Sequence, residues 1–217
     1  MSKRFLLVLA AIGLIFFGLI FFSKREARQP SNGDNGTTSS GLSQNIYGKK
    51  DSPVSLVEFG DFQCPACLGY FPIVQQIKAQ YGDRISIQFR HYPLSEIHQN
   101  AVISARASEA AAMQGKFWEM HDKLYENQNA WGTSQTPNTF FESYAQEIGL
   151  DVEKFKTDIK STATNDIVQA DRAEARKQGH SSTPTFVLNG KTIENPPRTI
   201  EEFGALIEEA LKAANTQ

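Results

Sequence analysis

Cys64 and Cys67 are the only two cysteines in this chain of 217 residues, and only Pro65 and Ala66 separate them. All of the thiol chemistry is therefore concentrated in one dithiol. Two cysteines at this spacing can close into a small disulfide and pass it to another thiol by exchange. The sequence thus predicts thiol-disulfide exchange at this motif.

The residues around the dithiol predict a strand that leads directly into a helix. Residues 54–59 are mostly apolar and β-branched, as in a buried strand. Pro65 suits the first position of a helix, where its missing N–H is not needed, so Cys64 becomes the N-cap and faces the first free amides. A helix N-terminus favours a thiolate. A fall in the pKa of Cys64 from about 8.5 to about 5 would stabilise the reduced form by roughly 2.7 kcal/mol at pH 7, or about 60 mV.

The remaining pattern predicts a small α/β domain with a long helical block in its middle. A second strand is expected at 85–90 and a hairpin with a type I′ turn at Asn189-Gly190, between strands 185–188 and 191–193. The predicted helices after the one that begins at Pro65 are 100–114, 117–126, 139–148, 152–160, 165–178 and 200–213.

The first 45 residues differ in character from the rest. After a short flank, 1–4, residues 5–22 carry no charge and are long enough to span a bilayer. No small-residue cleavage site follows them, so we expect one uncleaved transmembrane helix that serves as a signal anchor. Residues 23–45 are rich in glycine, serine and asparagine and predict a flexible linker to a domain at 46–217.

The side of the membrane on which the domain lies is not decided by the charges that flank the anchor, because they are nearly balanced. A signal-type anchor and the absence of a stray cysteine favour an extracytoplasmic domain on a single-pass membrane protein. The net charge of −2 and pI near 6.1 give no indication of a nucleic-acid partner.

Four segments together resemble the DsbA-like branch of the thioredoxin superfamily. They are 57–67 with the dithiol, 89–94, 114–121, and 182–190 with its Thr-Pro-Thr-Phe sequence. The resemblance covers about residues 45–213. It implies a thioredoxin fold with an inserted helical subdomain at about 97–179, and an enzyme that exchanges disulfides with proteins.

The resemblance also implies roles for individual residues. Cys64 would be the exposed nucleophile, and Cys67, one turn into the helix, would be shielded and would resolve the mixed disulfide. Thr183 and Pro184 would form the family's cis-proline segment opposite the cysteines. Its backbone would bind an extended substrate peptide as an added strand.

Glu58 and Phe62 are further candidates, each with an alternative. Glu58 falls on the same strand face as Leu56, where burial would raise its pKa and make it a proton acceptor for Cys67, as a buried acid is in the family. It could instead reach solvent from the strand end. Phe62 is a core residue by default, but exposed beside Cys64 it would hold apolar unfolded chains.

Two other classes of protein compete with the enzyme. A zinc or copper site could use the two cysteines together with two of the four histidines, which are His91, His98, His121 and His180. However, the histidines lack a metal-ligand spacing. We therefore expect no metal and no other cofactor. A non-catalytic module that only binds unfolded chains is the second class, and it would not need Cys64 as a nucleophile.

The direction of electron flow is the least determined part of the prediction. The resemblance favours an oxidase that introduces disulfides into reduced or unfolded exported proteins and is reoxidised by a quinone-linked membrane protein of the DsbB or VKOR type. The chain has Pro-Ala between its cysteines where the best-known DsbA pattern has Pro-His. The missing imidazole predicts weaker oxidising power. The alternative of a reductase or isomerase that receives electrons across the membrane therefore stays open.

Overall fold

The computed structural model describes residues 41–216. The strands in this part are β1 (Ile46–Gly48), β2 (Ser55–Gly60), β3 (Ser86–His91), β4 (Thr185–Leu188) and β5 (Lys191–Thr192). The helices are α1 (Pro65–Tyr81), α2 (Ala101–Ala112), α3 (Phe117–Glu126), α4 (Gln128–Trp131), α5 (Pro137–Glu147), α6 (Val152–Asp158), α7 (Thr162–Lys177) and α8 (Ile200–Ala214).

The five strands form one mixed sheet in the order β1-β3-β2-β4-β5. β2 and β3 are parallel and are joined by α1, whereas the other neighbouring pairs are antiparallel. Asn189 and Gly190, between β4 and β5, both have positive φ angles, of 48° and 77°. A type I′ turn requires this conformation, so the predicted hairpin is confirmed.

Each face of the sheet is covered by different helices. On one face, Leu56 and Phe186 pack with Ile77 of α1 and Phe203 of α8. On the other face, Phe59 packs with Val187 and with Ala175 of α7. The alternation of side chains along β2 therefore places Glu58, two residues after Leu56, on the face covered by α1.

Helices α2 to α7 form the predicted insertion between β3 and β4 and lie within the expected range of 97–179. Their core contains large side chains such as Trp131, Phe141 and Phe155, and the same cluster of buried residues includes Cys67. The insertion is thus packed directly against the dithiol. The thioredoxin fold with a helical insertion is confirmed.

The predicted boundary between linker and domain needs a correction. Ser43 and Asn45 were expected in the flexible linker, but both are buried. Ser43 Oγ donates to Asp171 Oδ2 at 2.6 Å, and Asn45 Nδ2 donates to Glu109 Oε1 at 2.5 Å. These carboxylates are buried in the insertion and require donors, which the sequence around residues 41–45 does not reveal.

The predicted anchor at 5–22, its flank at 1–4 and most of the linker lie outside the described residues. Within 41–216, no helix is long and apolar enough to cross a membrane.

Candidate active site

The dithiol lies at the junction of β2 and α1. Cys64 is the N-cap of α1, with φ −72° and ψ 122°, and Pro65 occupies the first helical turn. Both cysteines are free thiols. Cys64 is 6% exposed and Cys67 is fully buried. Cys64 is the more accessible sulfur, although it is less exposed than expected, because the cis-proline segment and the insertion close over it.

Hydrogen bonds stabilise the thiolate of Cys64. The Cys67 thiol donates the strongest of them, and the Thr183 side chain and the backbone amides of Cys67 and Ala66 contribute as well. Together they outweigh the cost of burial and lower the pKa of Cys64 to about 5. The helix amides have the expected effect, but the second cysteine is the larger cause.

Cys67 has the opposite character. Burial raises its pKa well above the ordinary value, and the hydrogen bond that it donates to Cys64 and the charges of Glu58 and Cys64 raise it further. Cys67 therefore stays protonated when Cys64 is a thiolate. The pair holds one proton between its two sulfurs at neutral pH, which is the arrangement that a nucleophile and a shielded partner need.

Glu58 is buried in the middle of the sheet, with 5% of its surface exposed. It is paired in register with Phe89 of β3 and Phe186 of β4, both fully buried. Burial, with a smaller contribution from the charge of Cys64, raises the pKa of Glu58 to about 8. The alternative that Glu58 reaches solvent is therefore wrong, and its carboxyl is neutral at pH 7.

The Thr183–Pro184 peptide bond is cis, as the resemblance implies. Thr183 is directly opposite Cys64, whose Sγ lies 3.5 Å from the Thr183 carbonyl oxygen and can donate to it only in the protonated form. Pro184 also lines a groove of about 290 Å³ whose other lining residues are mainly polar, among them Ser182, Thr185 and Glu194. The cis-proline segment thus contacts the nucleophile through Thr183 and lines this groove through Pro184.

Phe62 is a core residue, as expected by default, and the alternative in which it is exposed beside Cys64 and binds substrate is wrong. Phe62 is fully buried, and its ring stacks on Phe89 with centroids 4.9 Å apart. Tyr125 of α3 lies against it with centroids 5.0 Å apart. Phe62 points inward because the insertion supplies an aromatic pocket for it, and that pocket cannot be deduced from the local sequence. Phe62 joins the active-site loop, residues 61–64 between β2 and α1, to the insertion.

The four histidines are each paired with another side chain and are not gathered at the cysteines. The pairs are His91 with Glu109, His98 with Asp61, His121 with Asp122 and His180 with Gln178. Across residues 41–216, no group of three or more histidine, cysteine or acidic side chains is arranged to hold a metal ion. The geometry of this region gives no support to the zinc or copper alternative.

Sequence reasoning missed two residues that hold the active-site loop. Asp61 is buried and accepts hydrogen bonds from the Gln63 and Leu94 amides and from His98 Nδ1. Gln128 of α4 donates to the carbonyl oxygens of Phe62 and Cys64. The position of Asp61 just after a strand was a usable signal for a loop-fixing carboxylate. Gln128 had no such signal.

A family model described as thioredoxin matches residues 41–209. Among solved structures, BdbD from Bacillus subtilis is 27% identical, with a TM-score of 0.69, and the match covers 78% of this chain and 93% of that one. A thioredoxin-like oxidoreductase from Silicibacter pomeroyi is 25% identical, with a TM-score of 0.63, over 79% of this chain and 92% of that one. The α-DsbA1 of Wolbachia pipientis, at 18% identity and a TM-score of 0.70, covers 82% of this chain and 98% of that one and shares the fold.

Curated relatives include the Na⁺/H⁺ antiporter NhaA 1 of Mycolicibacterium gilvum, 36% identical over 153 residues. The match covers 70% of this chain but 24% of that protein's length, so the similarity gives no reason to assign antiport to this chain. The fold, the buried dithiol and the matched oxidoreductases agree with one another. The chain therefore belongs to the thioredoxin family and has the fold of the DsbA-type structures.

Proposed function

We propose that this protein introduces disulfide bonds into exported proteins by exchange at Cys64 and Cys67. The observation that carries this proposal is the contrast between the two sulfurs. The pKa of Cys64 is lowered to about 5, whereas that of Cys67 is raised well above its ordinary value. Stabilising the Cys64 thiolate stabilises the reduced protein and so makes its disulfide a stronger oxidant.

Disulfide donation begins with the oxidised protein, in which Cys64 and Cys67 are joined. A substrate thiolate attacks Cys64 Sγ, the Cys64–Cys67 bond breaks, and its electron pair leaves on Cys67. A second substrate thiolate then attacks the substrate sulfur of the mixed disulfide and releases Cys64 as a thiolate. The substrate loses two electrons, and the protein gains them. A low pKa makes Cys64 a good leaving group in this second step.

Glu58 donates a proton to Cys67 and accepts one from it. When Cys67 leaves as a thiolate, the neutral carboxyl of Glu58 protonates it, since the pKa of Glu58 is about 8. When Cys67 attacks a mixed disulfide at Cys64, the ionised form of Glu58 accepts its proton. A pKa near the operating pH suits a group that must do both.

The cis-proline segment supplies the substrate surface. The backbone of Thr183 and Pro184 lies opposite Cys64 and would bind an extended chain that reaches the sulfur, in the manner of an added strand. The polar lining of the adjacent groove suits a substrate held mainly through its backbone.

The cell-level part of the proposal rests on the sequence. Residues 5–22 would anchor the protein in the cell membrane, with the catalytic domain extracytoplasmic. Each donated disulfide leaves the dithiol reduced, so turnover needs an oxidant. A quinone-linked membrane protein of the DsbB or VKOR type would fill that role close to the bilayer.

The activity is tested by adding the oxidised protein to a reduced, unfolded model protein and counting the disulfides that form. The full chain should donate one disulfide per molecule, and Cys64→Ser should donate none. Cys67→Ser cannot form the donor disulfide, so it should also donate none; with a model protein that already contains disulfides, its Cys64 thiolate should attack one of them, release one substrate thiolate and accumulate as a mixed disulfide. If Cys64→Ser introduced as many disulfides into the model protein as the unmodified chain does, the proposal would be refuted.

The placement is tested separately with a thiol reagent that cannot cross membranes. Added to intact cells after reduction, it should label Cys64. Cysteines that react only after the cells are lysed would contradict an extracytoplasmic domain.

A further inference from the structure

Hydrogen bonds hold the active-site loop from two sides. One set forms within the loop, and the other comes from the helical insertion. On one side the loop holds itself, since the Cys64 amide donates to the Asp61 carbonyl oxygen at 3.0 Å and the Gln63 amide to Asp61 Oδ1 at 2.8 Å. On the other side, the carbonyl groups of Phe62 and Cys64 turn toward the helical insertion.

Both of these carbonyl groups accept a hydrogen bond from the same atom. Gln128 Nε2 is 2.7 Å from the Phe62 oxygen and 3.1 Å from the Cys64 oxygen. Gln128 is 6% exposed, so both bonds are buried. Its amide therefore fixes the backbone of the nucleophile and of the residue two positions before it.

Gln128 is itself held in place. It begins α4, and the Trp131 indole of α4 donates to the Leu124 carbonyl oxygen at 2.8 Å. Asn100 Nδ2 donates to the Trp131 carbonyl oxygen at 3.1 Å, and Gln63 Nε2 donates to the Gly132 oxygen at 2.7 Å. The insertion thus presents the Gln128 amide from a rigid element.

Hydrogen bonds to the Cys64 carbonyl oxygen control the orientation of the backbone at the nucleophile. Pro65 has no N–H, so the peptide unit between Cys64 and Pro65 can be fixed through its oxygen alone. That oxygen accepts from the Leu68 amide at 3.1 Å and from Gln128. The orientation of this peptide unit sets ψ of Cys64, and with it the placement of the sulfur over the first amides of α1.

We propose that Gln128 is a positioning residue that holds the Cys64 sulfur over the α1 amides, so that the helical insertion sets the oxidising strength of the dithiol. The amide adds donors without adding a negative charge beside the thiolate. Glutamate at this position would keep the shape but would bring a carboxylate against the two carbonyl oxygens. The inference rests on the proposed function and extends it to a residue outside the thioredoxin core.

The test compares Gln128→Met with the unmodified protein and with Gln114→Met. Gln114 is a matched control because its Nε2 also ties two segments together through a backbone oxygen, that of Asp151, but on exposed surface away from the cysteines. The pKa of Cys64 is measured from the pH profile of its alkylation rate, and the reduction potential in glutathione buffers. Unfolding by urea gives the stability of each variant.

Gln128→Met should raise the pKa of Cys64 by about 0.5 to 1 unit, a roughly three- to tenfold fall in the ratio of thiolate to thiol. The reduction potential should fall by about 15 to 30 mV. Gln114→Met should change neither quantity. If Gln128→Met does not fold, Gln128→Glu replaces it and should raise the pKa further.

Unchanged pKa and potential in a folded Gln128 variant, with the unmodified protein still showing a low Cys64 pKa and disulfide donation, would overturn the positioning role alone. An ordinary Cys64 pKa in the unmodified protein would overturn both the positioning role and the proposed function.

Discussion

Replacing Glu58 by glutamine should change how the stability of the oxidised protein depends on pH. Glu58 has a pKa of about 8 in the folded protein, against an ordinary value of 4.5. Between these values the folded protein keeps a proton that the unfolded chain has lost. The folded state then binds more protons, so its free energy of unfolding falls as pH rises. The contribution of Glu58 to the free energy of unfolding is fully present below about pH 4.5 and is lost as the pH rises through 8.

The size of the loss follows from the two pKa values. Each pKa unit is worth about 1.4 kcal/mol, which sets an upper limit of about 5 kcal/mol. Part of the rise in pKa comes from the Cys64 thiolate, which a disulfide lacks. Burial between Phe89 and Phe186 remains in the oxidised protein. We therefore expect a loss of about 3 kcal/mol between pH 4.5 and pH 8.5.

The assay is urea unfolding of the oxidised protein at several pH values, for the unmodified chain and for Glu58→Gln. The difference in stability between the two removes the contribution of histidines and other shared groups. Glu126→Gln, at an exposed position on α3, is the control and should follow the unmodified chain. If Glu58→Gln and the unmodified chain lose stability in parallel across this range, the buried and neutral Glu58 is refuted.

Three further substitutions have definite expected results. Ala66→His puts an imidazole next to an amide that faces the Cys64 thiolate, so it should lower the Cys64 pKa by about one unit and raise the reduction potential at pH 7 by about 30 mV, measured in glutathione buffers. Thr183→Val removes a side chain that stabilises the thiolate and should raise the Cys64 pKa by about 0.5 unit, which alkylation at varied pH would detect. Phe62→Ala should cost about 3 to 5 kcal/mol in urea unfolding, because the ring is fully buried; a loss under 1 kcal/mol would contradict its place in the core.

Features with a local signal could be predicted from the sequence. The proline after Cys64 marks the helix start, and the alternation of β2 places Glu58 on a buried face. Asn189-Gly190 specifies a hairpin turn by its backbone preferences alone. For these residues the relevant physics acts within a few positions along the chain or within one periodic element.

Features that depend on distant partners could not be predicted. Phe62 points inward because aromatic residues of the insertion surround it, and Gln128 reaches a loop that is 64 to 66 positions away in the sequence. Ser43 is ordered by Asp171, 128 positions away, although its own neighbourhood is typical of a linker. Composition describes the local chain, whereas burial depends on the carboxylates and rings that the fold brings to it.

The reduction potential of the Cys64–Cys67 disulfide tests the central claim most directly. A Cys64 pKa of about 5, compared with 9.0 for an ordinary thiol, stabilises the reduced form at pH 7 by about 2.7 kcal/mol, which raises the potential by about 60 mV. Thioredoxin has a potential of about −270 mV and a nucleophile pKa near 7, so the lower Cys64 pKa should place this protein about 50 mV higher when it is equilibrated in glutathione buffers. A value at or below about −270 mV would contradict a disulfide donor and would favour a reductase.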